Sequence, residues 1–113
     1  MCRIEYYAEP SGRQPVAEWL DSLDRKTREY IRDKIVRLQQ HGLMLLNTNM
    51  MRPIKGYVSN FYEIKYSKYR VTLYHETSND NFILLHGFKK ERKRESKEIE
   101  IACSRLHEYQ SRR

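Results

Sequence analysis

Five charged or titratable side chains, Glu63, Lys65, Arg70, His86 and Lys90, sit in a stretch whose patterning is that of β-strands. Side chains alternate faces along a strand. In residues 61–66, Tyr62, Ile64 and Tyr66 share one face, and Glu63 and Lys65 share the other. In residues 69–76, Val71, Leu73 and His75 share one face, and Arg70, Thr72 and Tyr74 the other. In residues 81–88 and just beyond, Phe82, Leu84, His86, Phe88 and Lys90 fall on one side, with Ile83, Leu85 and Gly87 opposite. If the apolar sets, including Ile83 and Leu85, pack on helices, then Glu63, Lys65, Arg70, His86 and Lys90 gather on one open sheet face. Cations interleaved with aromatic rings suit single-stranded RNA, because bases stack on rings while Lys and Arg hold phosphate.

A second basic feature follows the last apolar run. Lys89-Lys90-Glu91-Arg92-Lys93-Arg94 holds five cations in six residues and can order on a phosphate backbone. Lys89, Arg92, Lys93 and Arg94, with Lys68 in the turn at 67–68, form the expected RNA-binding set. A solvated loop is the competing reading of such a run. The overall charge agrees with a polyanionic partner: 22 Lys and Arg stand against 15 Asp and Glu, a net +7. Residues 1–51 are near neutral, whereas 52–75 and 89–113 carry most of the excess.

Other chemistries find no support. Cys2 and Cys103 make neither a disulfide framework nor a metal-ligand spacing. There is no His-x-x-x-His or Cys-x-x-Cys pair, no Gly-rich phosphate loop and no serine elbow. Hence no metal and no cofactor are expected. No apolar run approaches the roughly 18–20 residues of a membrane span, and no signal-peptide stretch opens the chain. A cytoplasmic protein without membrane contact is expected.

The elements that must position these residues are readable in outline. Residues 3–7 form a short β-type run closed by Glu9-Pro10-Ser11-Gly12. Pro15 suits a first helical position, and Val16, Trp19, Leu20 and Leu23 recur at helical spacing. Asp24 can cap a second helix with Thr27, Ile31, Ile35 and Leu38 on one stripe and Gly42 as its stop. Residues 43–60 lack any period and read as an irregular connection carrying Met50, Met51 and Ile54 into the core. Runs 61–66, 69–76 and 81–88 are joined by tight-turn lengths and predict an antiparallel meander. Ser96 can cap a last helix with Ile99, Ala102, Cys103, Leu106 and Tyr109 inward. The length of 113 residues fits one domain, residues 1–113. The order strand, helix, helix, strand, strand, strand, helix predicts an α+β fold, a small antiparallel-dominated sheet with helices packed on one face.

Several of these segments together resemble a known family. Pro15-Val16-Ala17-Glu18-Trp19-Leu20-Asp21-Ser22-Leu23, Phe61-Tyr62-Glu63-Ile64-Lys65 and Tyr69-Arg70-Val71-Thr72-Leu73-Tyr74 are followed by Ile83-Leu84-Leu85-His86-Gly87-Phe88-Lys89-Lys90 and Glu98-Ile99-Glu100-Ile101-Ala102. In this order they look like the RelE/ParE toxin superfamily, and specifically its HigB-like, phage-derived branch. The resemblance spans about residues 3 to 109 and implies a RelE-like fold. It also implies a toxin of a type II toxin–antitoxin system, a metal-independent endoribonuclease (an mRNA interferase) acting on mRNA on the ribosome. Its implied partner is a cognate antitoxin of helix-turn-helix type. ParE members share the fold but inhibit DNA gyrase. A non-enzymatic ParE-like inhibitor, or an inactive phage-derived relative that binds a partner, is therefore the alternative. By resemblance, Lys65 and Arg70 match basic catalytic positions, and Lys90 a position that is often arginine. Glu63 stands where a RelE-like toxin can carry lysine. Residues 91–96 replace a Lys-Thr-x-Lys-Thr-Pro type stretch of HigB-like relatives.

Cleavage of RNA without metal needs a base for the 2′-hydroxyl, an acid for the leaving 5′-oxygen and cations on the phosphoryl oxygens. Arg70 suits the phosphate, since guanidinium binds two oxygens at once. Lys90 can neutralise the same group or act as acid. Lysines crowded by cations release protons more readily, so Lys65 can serve as base, with Glu63 as its rival. His86 suits either proton transfer by type, against the reading of a hydrogen-bonded strand histidine. His41, His75 and His107 read as structural or surface residues, and Tyr62, Tyr66 and Tyr74 as sheet packing.

Overall fold

A computed structural model describes residues 2–91 and 95–112. The chain runs β1 (Arg3–Tyr6), α1 (Pro15–Ser22), α2 (Arg25–His41), a 3-10 turn (Gly42–Asn47), β2 (Met51–Pro53), β3 (Phe61–Tyr66), β4 (Tyr69–Glu76), β5 (Asn81–Lys89) and α3 (Glu95–Ser111). The strands form one sheet in the order β1-β5-β4-β3-β2. β2 to β5 pair antiparallel, and β1 joins β5 in parallel. The expected α+β class and antiparallel-dominated sheet hold.

Local signals explain the helices. Pro15 opens α1, where its missing N–H has no partner to lose. Val16 and Leu20 are fully buried, and Trp19 and Leu23 pack beside them. The Asp24 carboxylate accepts the Thr27 backbone N–H at 3.1 Å and caps α2. Gly42 ends α2 at φ +57°, and its N–H donates to the Leu38 carbonyl. The positive φ requires glycine there, and a β-carbon would also press on Cys2 Sγ at 2.9 Å. The last helix starts two residues earlier than a Ser96 cap implies: Ser96 lies inside the first turn of α3, which opens at Glu95.

The segment 43–60 is more regular than its sequence. It contains the 3-10 turn and the three-residue strand β2. Met51 pairs with Ile64, Arg52 with Glu63 and Pro53 with Tyr62. A proline is tolerated because β2 is an edge strand. Met51 is buried, and Met50 and Ile54 are partly so.

One expectation is corrected: the helices do not share a face. α1 and α2 pack Val16, Leu20, Ile31, Ile35 and Leu38 against Ile64, Val71, Leu73, Phe82 and Leu84. α3 packs Ala102, Leu106 and Tyr109 against Tyr7, Phe61, Ile83 and Leu85 on the opposite side. β5 is therefore buried on both faces, as its near-continuous apolar run requires.

A second correction concerns strand parity. Leu73 pairs with Leu84 but Thr72 pairs with His86, so Leu85 is an extra residue in β5. Such a bulge reverses the alternation beyond it. Phe82 and Leu84 thus face α1 and α2 rather than the α3 side, while His86 and Phe88 turn to the α3 side with Thr72 and Arg70. Gly87 turns the other way, onto α1, where a β-carbon would come within 2.1 Å of the Trp19 ring.

Candidate functional site

Two adjacent rows cross the sheet on the face shared with α3. The first aligns Lys65, Arg70 and Phe88; the second aligns Arg52, Glu63, Thr72 and His86. α3 lies over β5 and β4, and the β2–β3 side of this face keeps Lys65 and Arg52 partly exposed.

Arg70 is buried, with one tenth of its side chain exposed. Its Nη1 donates to the carbonyls of Ser67 at 2.8 Å and of Tyr69 at 2.9 Å. The guanidinium therefore caps the β3–β4 turn, in which Ser67 adopts φ +52°. Its Nε faces Glu63 Oε1 at 3.5 Å, an ionic contact without hydrogen-bond geometry. Among the described residues, Nη2 makes no hydrogen bond. Glu63 is only 3% exposed. Its other oxygen accepts Arg52 Nε at 2.6 Å, so one buried carboxylate holds two guanidinium groups. Lys65 is half-buried and forms no ion pair among the described residues. Lys90 is exposed, and its Nζ lies 4.0 Å from Glu95 Oε2.

His86 is held on both ring nitrogens. Nε2 pairs with Glu98 at 2.8 Å and Nδ1 with Arg105 Nη1 at 2.9 Å. A guanidinium can only donate, so Nδ1 is the acceptor and the ring proton sits on Nε2, donated to Glu98. The ring stacks on Phe88 with centroids 5.6 Å apart. Burial holds the His86 pKa below the usual histidine value; Glu98 opposes that shift and Arg105 adds to it. Arg105 also donates to the carbonyl of Leu85, satisfying the bulge.

The structure thus brings Glu63, Lys65, Arg70, His86 and Lys90 to one face. It does not bring Lys89 there: Lys89 pairs with Tyr69 and stands on the opposite side from Arg70 and Phe88. Lys68 is exposed in the β3–β4 turn, and its carbonyl accepts the Lys90 N–H at 2.6 Å. Arg92, Lys93 and Arg94 lie outside the described residues. Tyr62 and Tyr66 pack with the α1–α2 core and Tyr74 with the α3 core. His75 bonds Asp80 at 2.8 Å and stacks on Phe82. Among the described residues no three His, Cys, Asp or Glu side chains converge as metal ligands.

Arg52, Glu95, Glu98 and Arg105 were not anticipated. Arg52 belongs to a strand too short to show a period. Glu98 and Arg105 carry a signal that could have found them, since seven residues is two helical turns and places both on one stripe of α3.

The family described as "Phage derived protein Gp49-like (DUF891)" matches residues 18–107, most of the chain and all five of the site residues on this face. The chain belongs to the Gp49-like family. The crystal structure of the isolated RelE toxin of E. coli superposes on this Gp49-like chain with a TM-score of 0.60 at 17% identity, covering 88% of this chain and 97% of that one. The RelBE2 toxin–antitoxin complex of Mycobacterium tuberculosis matches with a TM-score of 0.48 at 11% identity, covering 80% and 96%. No curated protein sequence matches. The Gp49-like chain has the RelE fold, as the residues quoted above implied, and its family is phage-derived.

Proposed function

We propose that this Gp49-like protein is the toxin of a type II toxin–antitoxin pair and cleaves mRNA on the ribosome, in the cytoplasm, without a metal. The observation that carries this reading is the pairing of Lys65 and Arg70 across β3 and β4, beside Arg52 and Lys90, on a RelE-like sheet. In the reaction a base takes the 2′-hydroxyl proton, the 2′-oxygen attacks phosphorus, and the 5′-oxygen leaves with a proton. Arg70 binds the phosphoryl oxygens through Nη2, the nitrogen that its turn contacts leave over. Lys65 is the base and Lys90 the acid or neutralising group. Glu63 positions Arg70 and Arg52 rather than taking a proton, because both its oxygens already face guanidinium groups. His86 holds α3 to β5, because neither ring nitrogen is spare. The partner that holds the toxin inactive is an antitoxin of helix-turn-helix type.

Expression of the chain should arrest growth, and primer extension on ribosome-associated messages should show new 5′ ends. Lys65→Ala, Lys90→Ala and Arg70→Lys should each reduce both. Full toxicity and unchanged cleavage in all three would remove these residues from the reaction. One observation favours a second reading, a non-enzymatic inhibitor. Arg70 spends Nη1 on turn carbonyls and Nε on Glu63, which suits a structural arginine as well as a catalytic one. Growth arrest without new 5′ ends would select that reading.

A further inference from the structure

The cations on this face are not all free. Glu95, the first residue of α3, places one carboxylate between two of them. Oε1 lies 3.5 Å from Arg52 Nη2, and Oε2 lies 4.0 Å from Lys90 Nζ. Arg52 is fixed from behind by the buried Glu63, through Nε at 2.6 Å. Its Nη2 therefore points to a set place. A single acid with one oxygen toward each cation has the arrangement that two non-bridging oxygens of a phosphodiester would adopt. The site is open to ligand, since Arg52 is 44% exposed, Lys90 42% and Glu95 34%.

We infer that Arg52 and Lys90 form a phosphate subsite for single-stranded RNA, and that Glu95 occupies it until the RNA backbone displaces its carboxylate. This rests on the RNA-cleavage reading and extends it. Arg52 holds the backbone phosphate next to the one at Arg70, Lys90 serves both that phosphate and the leaving group of the proposed reaction, and Glu95 sets a threshold for loading the subsite. The contact is weak enough to yield. Exposed ion pairs of this kind contribute about 1 kcal/mol or less, and a phosphate brings a full charge with counterion release.

The test is the binding of fluorescein-labelled oligouridine to the purified full chain, followed by fluorescence anisotropy over a range of salt. Glu95→Gln removes the competing charge and keeps the side chain's shape. It should tighten binding up to about fivefold at low salt and steepen the salt dependence by about 0.7 in log–log slope, the value of one more neutralised phosphate on a single strand. Glu91→Gln makes the same change in net charge outside the network and should do much less. In an Arg52→Ala background the gain from Glu95→Gln should vanish. A cooperative thermal transition above the assay temperature establishes that each variant is folded, Arg52→Ala at a lower midpoint because it loses its bond to Glu63. The subsite is overturned if Glu95→Gln gains no more than Glu91→Gln, or if the gain survives Arg52→Ala. It is also overturned if the gain appears with fluorescein-labelled oligoglutamate and not with RNA, which would make the pair an acidic-peptide site. Message cleavage with no Glu95→Gln effect would remove the subsite alone. The Glu95→Gln gain without message cleavage would keep the subsite and remove the nuclease.

Discussion

Arg70 is bound first of all to its own hairpin. Removing it would leave the carbonyls of Ser67 and Tyr69 without their donor, and the buried Glu63 with Arg52 alone. Buried carbonyls without a donor, and a buried carboxylate that loses one of its two cations, are costly. Arg70→Ala should therefore lose about 3 kcal/mol of stability by chemical denaturation, separately from any loss of activity. Arg70→Lys, which keeps the charge but not the fork, should lose less. A second residue-scale expectation concerns pH. The folded-state pKa of His86 is depressed, chiefly by burial, so the unfolded chain takes up its proton first as pH falls. The stability from this group is complete above the ordinary histidine value, about 6.5, and is lost as pH drops through the lower folded value. The thermal midpoint should fall on acidification below that point, and His86→Gln should flatten the fall. Equal slopes for the two proteins would show that other groups set the acid limit.

At the scale of elements, two contacts hold the site's frame. Gly87 lets β5 lie close against the Trp19 ring, and a methyl group there would meet ring carbon at 2.1 Å. Either α1 must move or β5 must bend, and overpacking of this kind typically costs 1–3 kcal/mol. Gly87→Ala should destabilise by about 2 kcal/mol, and replacing Trp19 with leucine in the same chain should recover part of that. The second contact is the bulge at Leu85, pinned by Arg105 from α3. The extra residue turns His86 and Phe88 onto the same face as Arg70. The parity argument reached that placement of His86 by assigning Phe82 and Leu84 to the wrong side. Two displacements cancelled, because an uninterrupted apolar strand carries no polar residue to mark where its alternation slips.

The whole molecule is a sheet with a hydrophobic core on each face, one against α1 and α2 and one against α3. The net +7 is concentrated in the second half of the chain, and part of it is compensated internally by Glu63 and Glu95. The proposed RNA binding should therefore depend less steeply on salt than a count of basic residues implies. Lys65→Ala and Lys90→Ala should each flatten the log–log slope by about 0.7, whereas Lys89→Ala, on the opposite side from Arg70, should leave it nearly unchanged.

Residues themselves determined the helices, the three-strand meander and the likeness to RelE-type toxins. Each follows from information local in the chain: Asp24 and Gly42 as helix ends, Ile31, Ile35 and Leu38 at helical spacing, and tight-turn lengths at 67–68 and 77–80. Lys65 and Arg70 were legible as neighbours for the same reason, since a two-residue turn fixes their register. What the tertiary structure decided is which groups stay available. Arg52 reaches Glu63 only because a three-residue edge strand docks on β3, and Glu95 reaches Arg52 and Lys90 only because α3 crosses the face behind the sheet. A pattern of residue types records which side chains can be charged. Whether a charge meets solvent, a phosphate or another side chain depends on contacts between residues distant in sequence, and those exist only once the chain has folded.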